Sequence, residues 1–256
     1  MIVKVLTFNI HHGRGTDRQL NLDRIGAIIQ TTGADIIGLN EVDRHFSERS
    51  QFKDQAKELA HYLNMQYAFG PAVTIETTGF TPKREFGNAI LTKFPIQSMS
   101  NHSFDFLPKR TEKRALLEIT NNIGNEMITT YVAHLSLNPF LHSKQIAFIL
   151  EKIQLNKGSS IIVGDWNMTP SSPRWKHITH LLKDAWAEKG NRDQRGFTFP
   201  SRRPFRRLDY IFYSSELQLL NCEVVDIDRK ASDHLPIIAT FAIGSKAAAI
   251  PSTFSI

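Results

Sequence analysis

Short apolar runs in this chain repeatedly end on a residue able to bind an ion or carry a proton. Val5-Leu6-Thr7-Phe8 stops at Asn9, and Ile36-Ile37-Gly38-Leu39 stops at Asn40-Glu41. Thr129-Thr130-Tyr131-Val132-Ala133 stops at His134, and Ile161-Ile162-Val163-Gly164 stops at Asp165-Trp166-Asn167. Asp209 heads the aromatic run Tyr210-Ile211-Phe212, and Asp233-His234 precedes Leu235-Pro236 and a last apolar stretch. Strand ends are where a rigid scaffold presents catalytic groups on loops. Carboxylates, amides and imidazoles gathered at one edge of several strands would hold a hard divalent ion. An oxygen-rich set without thiolates suits Mg²⁺, Mn²⁺ or Ca²⁺ rather than structural zinc. A cation and two imidazoles around an anion is the equipment of phosphoryl chemistry, in which the metal neutralises oxygen charge and side chains orient an attacking water. Taken singly, each residue also has a plain structural use. Asp or Asn at a strand end forms turns and caps helices, and a His after a strand serves as a hydrogen-bonded support.

The elements that must position these groups follow from spacing. Ile2–Phe8 reads as a buried strand. Asn21 caps a helix carrying Leu22, Ile25, Ile28 and Ile29 on one side, with Gly33 as its stop. Asp35–Leu39 is the next strand, and Phe52, Ala56, Leu59, Ala60 and Leu63 recur at helical spacing. Ala89–Leu91 lies in a strand ending near Pro95. Ala115–Thr120 and Met127–Ala133 flank Asn121-Asn122-Ile123-Gly124-Asn125, a hairpin signal. Ile146, Ile149, Leu150 and Ile153 mark another amphipathic helix, closed by Gly158. Ile161–Val163, Leu208–Tyr213, Leu217–Val225 and Ile237–Phe241 read as further strands. Strands outnumber helices, and sheets packed on each other with helices outside would bury every apolar face.

A chain of 256 residues is about the size at which one large core is still feasible. Its 41% hydrophobic and 22% charged residues exclude wholesale disorder. No apolar run approaches the roughly 18 residues of a membrane span. The start, Met1 to Phe8, breaks at Asn9 and reads as a strand rather than a secretory signal. The single Cys222 excludes an intrachain disulfide and any multi-cysteine metal site, so a reducing cytoplasm is the expected compartment. The formal charge of +6 favours acidic partners such as phosphates, nucleic acid or anionic headgroups, and equally serves plain solubility.

Thr7-Phe8-Asn9, Leu39-Asn40-Glu41-Val42, Gly87-Asn88-Ala89-Ile90-Leu91, His134-Leu135, Gly164-Asp165-Trp166-Asn167, Leu208-Asp209-Tyr210-Ile211 and Ser232-Asp233-His234-Leu235-Pro236 occur in that order over nearly the whole chain. Together they resemble the endonuclease/exonuclease/phosphatase superfamily, which includes pancreatic-type deoxyribonucleases, abasic-site endonucleases, neutral sphingomyelinases and inositol polyphosphate 5-phosphatases. The resemblance implies an α/β fold, a four-layer α/β/β/α sandwich of two mixed sheets, filling one domain over 1–243 with a tail at 244–256. It implies hydrolysis of a phosphoester with Mg²⁺ or Mn²⁺, a phosphodiester first. The alternatives are a phosphomonoesterase on a sugar or inositol phosphate and a non-catalytic phosphate-binding module. The substrate classes are nucleic acid, a lipid headgroup or a small phosphorylated metabolite, with no obligate protein partner.

Position by position, Glu41 resembles the principal metal-binding glutamate, with Asn9 beside it and Asp233 as a supporting acid. Asp165 and Asn167 resemble the pair that orients or deprotonates water. His234 resembles the histidine at the scissile phosphate and Asp209 its carboxylate partner, with His134 as the second histidine. Arg114 and Asn88 match positions near the phosphate. Abasic-site enzymes carry an acidic residue about where His11 stands, so here His11 and its neighbour His12 either face the cleft, His11 as a phosphate contact, or cap the turn. Arg202, Arg203, Arg206 and Arg207 form either an electropositive rim or a solvated loop, with Phe199 and Phe205 anchoring it on the core or stacking on a base.

Overall fold

The computed structural model describes all residues except 77, 80–81, 105–112, 157, 192–194 and 245–256. In chain order the elements are β1 (Ile2–Asn9), α1 (Leu22–Thr32), β2 (Ile36–Arg44), α2 (Gln55–Leu63), β3 (Gln66–Ile75), β4 (Arg84–Thr92), β5 (Ile96–Ser103), β6 (Ala115–Ile123) and β7 (Glu126–His134). Then follow α3 (Pro139–Leu155), β8 (Ser159–Asp165), α4 (Pro173–Thr179), β9 (Lys183–Asp184), α5 (Ala185–Lys189), β10 (Asp209–Tyr213), β11 (Gln218–Val224) and β12 (Ile237–Ala242).

Helix α1 begins where the Asn21 side chain accepts a hydrogen bond from the Arg24 amide at 2.9 Å, and it ends on Gly33 in the left-handed conformation. Helix α2 is capped in the same way by Asp54. Helix α3 starts earlier than its apolar spacing suggests, at Pro139 behind an Asn138 cap, and it closes at Asn156 rather than Gly158. Phe52 lies outside α2, exposed and at positive φ.

The strands form two six-stranded sheets, in the orders β11-β12-β1-β2-β4-β3 and β5-β6-β7-β8-β10-β9. Each sheet is mixed. The parallel pairs are β1 with β2 and β7 with β8, each joined by a crossover helix, α1 and α3 respectively. Residues alternate faces along every strand. Val3, Val5, Ile36 and Ile90 of the first sheet meet Val132, Ile161, Val163 and Ile211 of the second in one inter-sheet core. The opposite parity of the first sheet, Leu6, Phe8, Ile37 and Leu39, packs under α1 and α2. That of the second, Tyr131, Ile162, Tyr210 and Phe212, packs under α3 and α4. The layers are therefore helix, sheet, sheet, helix, as the motifs imply.

Near the polar end of the core the sheets approach closely. A Cβ on Gly38 would lie 2.2 Å from a Val163 methyl and 2.7 Å from one of Val132, so only glycine lets β2 pass there. Gly164 is held at φ +139°, and a Cβ on it would lie 1.9 Å from the Ala133 carbonyl. No helix among the described residues is long and apolar enough to cross a membrane. Beyond residue 244 the expected tail lies outside the described residues.

Candidate active site

The inter-sheet core and the polar cluster are one series of positions. Counting by twos along the inward parity, Val5 leads to Asn9, Ile36 to Asn40, Ile90 to Asn88, Val132 to His134, Val163 to Asp165 and Ile211 to Asp209. The apolar filling stops at one end of both sheets and polar groups continue it. Strand register aligns them: Asn9 pairs with Asn40, and Asp165 pairs with both His134 and Asp209. Both parallel pairs present their carboxyl ends here, where open α/β sheets place ligands.

Asp165 is the hub. Its Oδ2 receives the Asn9 amide at 3.3 Å and lies 3.5 Å from His134 Nε2 and 3.6 Å from His234 Nε2. The two ring distances exceed a hydrogen bond, as often holds in catalytic sites without substrate. The other oxygen, Oδ1, accepts from the Asn167 main chain at 3.0 Å, and Asn167 sits at positive φ with its side-chain amide on the Leu135 carbonyl. Asp165 is buried, and burial pushes its carboxyl up from the usual carboxylate range to about 7, against the nearby His234 charge.

His234 Nδ1 donates to Asp209 Oδ2 at 2.8 Å, leaving Nε2 toward Asp165. Burial opposes protonation of this ring, but the Asp209 and Asp165 carboxylates outweigh it and raise its pKa to about 10. Its main-chain amide donates to Ser232 Oγ, which itself donates to the Asn9 carbonyl at 2.7 Å, and the Phe199 ring lies 4.8 Å away. His134 behaves in the opposite sense. Burial, then the Arg114 charge and His234, hold its pKa well below 6.5. Arg114 Nη1 donates to His134 Nδ1 at 3.2 Å, so the neutral ring carries its hydrogen on Nε2, the atom near Asp165.

Glu41 stands at a β-bulge, where β2 gains one residue against β4 between Leu39 and Val42, and its φ is 57°. Bulges beside active sites re-aim a side chain. Here Glu41 leaves the strand parity and sends Oε1 to the Asn9 amide at 3.0 Å. That one amide thus joins Glu41 to Asp165. His11 and His12 follow Asn9 after Ile10, and one ligand atom each from His11, His12 and Glu41 lie within 4.8 Å of one another. Burial, then the Arg49 and His11 charges, lower the His12 pKa to about 4. A half-buried carboxylate with one oxygen in no described hydrogen bond, and two imidazoles beside it, fits a divalent cation. A second potential ligand group, Asp165, Asp209 and His234, is fully buried and already bonded internally.

The structure thus gathers Asn9, His11, Glu41, His134, Asp165, Asn167, Asp209 and His234. Asn88 sits one layer behind. It accepts from Asn40 at 2.8 Å, and its amide donates to the Ala115 and Val132 carbonyls. Asp233 is half-buried, accepts from Ser232 Oγ at 3.3 Å, and belongs to neither ligand group among the described residues. Arg207 leaves the expected rim altogether. It is buried, bidentate to Asp184 at 3.0 and 2.8 Å, and stacked over Tyr210, while Arg203 and Arg206 stay exposed.

Sequence reasoning placed Asn40 at a strand end but gave it no role; its Oδ1 accepts from the Asp165 main chain at 2.8 Å while its amide reaches Asn88 and the Ala133 carbonyl. It is the polar rivet between the sheets. Its position beside Glu41 in an inward-facing register was the available signal. Gln55 was passed over. It donates to the His12 carbonyl at 2.7 Å and accepts from the Asp43 amide at 3.0 Å, which ties the His11-His12 turn to β2.

Residues 6–234 match the model of a family described as the Endonuclease/Exonuclease/phosphatase family. YbhP of Escherichia coli strain K12, itself uncharacterised, is 26% identical over 245 residues, 92% of this chain and 94% of its own. An endonuclease/exonuclease/phosphatase family protein from Leptotrichia buccalis superposes with a TM-score of 0.75 at 21% identity, over 94% of this chain and 99% of its own. A mannosyl-6-phosphatase from Bacteroides thetaiotaomicron superposes with a TM-score of 0.76 at 16% identity, over 94% and 99% of the two chains. At such identities the two structures speak for the fold.

Proposed function

The chain belongs to the endonuclease/exonuclease/phosphatase family, and on that premise we propose that it is a divalent-metal-dependent phosphodiesterase in which Asp165 prepares a water for in-line attack. The observation that carries this reading is the convergence of Asn9, His134 and His234 on Asp165 Oδ2, within 3.3 to 3.6 Å. Mg²⁺ or Mn²⁺ held at Glu41, with Asn9 and Asp233 in support, would supply charge neutralisation on a phosphate oxygen. The protein's own groups do the rest. Asp165, with its raised pKa, is a stronger base than an ordinary carboxylate and takes the water proton at Oδ2. Asn167 keeps that carboxylate turned by holding Oδ1. His234, charged and fixed by Asp209, donates from Nε2 to a phosphate oxygen as negative charge grows there. His134 presents a neutral N–H to the same space, with Arg114 behind it adding positive potential, and Asn88 supports both through the Asn40 contact.

The compartment consistent with the lone, buried Cys222 is the cytoplasm. A phosphomonoesterase is the competing reading, favoured by the likeness to the Bacteroides thetaiotaomicron mannosyl-6-phosphatase. The test is purified protein with Mn²⁺ or Mg²⁺ on bis(p-nitrophenyl) phosphate and p-nitrophenyl phosphate. The diester is hydrolysed, a chelator abolishes turnover, and Asp165→Asn lowers kcat by about 10²-fold or more. Turnover of the monoester alone would transfer the assignment, and an Asp165→Asn variant of normal activity would end it. Salt then sorts substrates: nucleic-acid binding weakens steeply between low and physiological salt, whereas a small metabolite responds weakly.

A further inference from the structure

We propose that His11 and His12 join Glu41 in a nitrogen-rich cation site, so that this chain prefers a borderline first-row transition ion over Mg²⁺. The assignment rests on the metal-dependent reading above and names the ligands and the class of ion. Glu41 by itself is a hard oxygen donor. Two imidazoles within ligand reach change the class, because imidazole suits Zn²⁺, Fe²⁺, Ni²⁺ or Cu²⁺, while Mg²⁺ keeps to oxygen and water.

The donor atoms of His11, His12 and Glu41 lie within 4.8 Å of one another. Ligands at about 2.0–2.2 Å from one ion sit about 3–4 Å apart, so modest side-chain rotation closes the set. His11 is already oriented for the task. Its Nδ1 stands 3.0 Å from the Arg14 carbonyl, which can only accept, so the proton is on Nδ1 and Nε2 offers a lone pair. A backbone carbonyl on the far ring nitrogen is the usual support of a metal-bound histidine. His12 is 7% exposed, and its ring, edge-on to that of His11 at 4.4 Å, makes no hydrogen bond among the described residues. Its ring nitrogens are therefore left for an incoming ligand. Glu41 spends Oε1 on Asn9, and Oε2 makes no described hydrogen bond.

The backbone is held in the same cause. His11, His12 and Glu41 all adopt the left-handed region, at φ 46°, 46° and 57°. Non-glycine residues stay there only when their surroundings enforce it, and Gln55 clamps the turn to β2. Arg49, whose charge acts on His12, is taken up by Asp43 in a bidentate pair at 2.9 and 2.7 Å. An ion in this set would touch Glu41, one Asn9 amide away from Asp165, so ligand set and base share a single connecting group.

The test uses full-length, metal-stripped protein with Co²⁺ as the optical probe and Cu²⁺ as the paramagnetic one. The wild type is expected to show ligand-field absorption with Co²⁺ that Zn²⁺ displaces and that excess Mg²⁺ leaves in place. Its Cu²⁺ spectrum is expected to carry hyperfine splitting from two imidazole nitrogens. His11→Ala is expected to lose one nitrogen and at least about 10-fold in Co²⁺ affinity. His12→Gln, the better-tolerated change at the buried position, loses the other, with melting followed to confirm folding. Co²⁺ affinity and nitrogen splitting unchanged in His11→Ala would overturn the proposal, as would displacement of Co²⁺ by equimolar Mg²⁺. Should the protein hydrolyse phosphodiesters while both variants keep the wild-type spectra, this inference falls and the hydrolase reading stands. Should the spectra behave as expected with no phosphoester turned over by any ion, the hydrolase reading falls and the ligand set remains.

Discussion

Asp209 illustrates how much chemistry one buried carboxylate can set. It touches no solvent, and its 2.8 Å bond to His234 Nδ1 holds the ring in one tautomer. Burial lowers the His234 pKa, and the Asp209 charge is the largest influence raising it, so the balance near 10 depends on that one group. Replacing Asp209 by Asn removes the charge and leaves the burial. The alkaline limb of kcat/KM therefore moves to lower pH in Asp209→Asn, and kcat at neutral pH drops by about 10²-fold. A pH–rate profile with its alkaline limb unmoved would assign the proton donor elsewhere. The same shift has a stability sign. Because the folded pKa lies above the ordinary 6.5, the pair's contribution is fully present below that pH and is lost as pH rises toward about 10. Chemical denaturation of the metal-free protein at pH 7 and pH 10 should show the wild type weakening more than Asp209→Asn over that interval.

At the scale of elements, strand ends matter more than strand interiors. Gly164, one residue before Asp165, is where β7 and β8 press together. Gly164→Ala places a methyl on the Ala133 carbonyl at a φ that L-residues avoid, so the ladder carrying His134 opposite Asp165 has to part. The expected loss is about 3 kcal/mol or more in urea denaturation, with activity gone. Asn21→Ala, which removes only the α1 cap, costs about 1 kcal/mol and leaves activity intact. Elements with local signals were legible in the sequence. Asn21 and Gly33 bracket α1, and β1, β8, β10 and β12 announce themselves as apolar runs. The hairpin was legible too, though β6 continues through Asn121 to Ile123 and β7 begins at Glu126, leaving a turn of only Gly124 and Asn125. Three edge strands were not legible, among them the two-residue β9. β5, with Gln97, Ser98, Ser100 and Asn101, has almost no buried face to generate alternation, and β3 is interrupted by Gly70-Pro71, tolerable because an edge strand has one unpaired side. The site divides along the same line. Asp165, His134 and His234 end or flank apolar runs and were readable; the aim of Glu41 depends on a bulge that exists only through pairing with β4, and the Asn40 rivet depends on the distance between sheets.

At the scale of the whole molecule, the chain lays down most of the first sheet, then all of the second, and finally returns to finish the first. The return strand β12 inserts between β11 and β1, antiparallel to β1 from Ile2 opposite Ala242 to Thr7 opposite Ile237. The segment leading into it brings Ser232 onto the Asn9 carbonyl and His234 onto Asp209, so closing the sheet and completing the site are the same event. The main chains of Met1 and Ile243 bond at the outer end of this strand pair. Ile237, Ile238 and Phe241 are buried from β12. At about 1.5–3 kcal/mol each they contribute about 5–9 kcal/mol, a large share of the about 5–15 kcal/mol that holds a domain folded. A chain ending at residue 236 is therefore expected to lack a cooperative melt and near-ultraviolet dichroism. A chain ending at residue 244 keeps every described pairing and should melt cooperatively, with the full-length protein's activity. Cooperative folding of the 236-residue chain would mean that β1 finds enough support in β2 alone. It would also separate the stability of the sandwich from the assembly of its catalytic end, two properties that β12 here binds together.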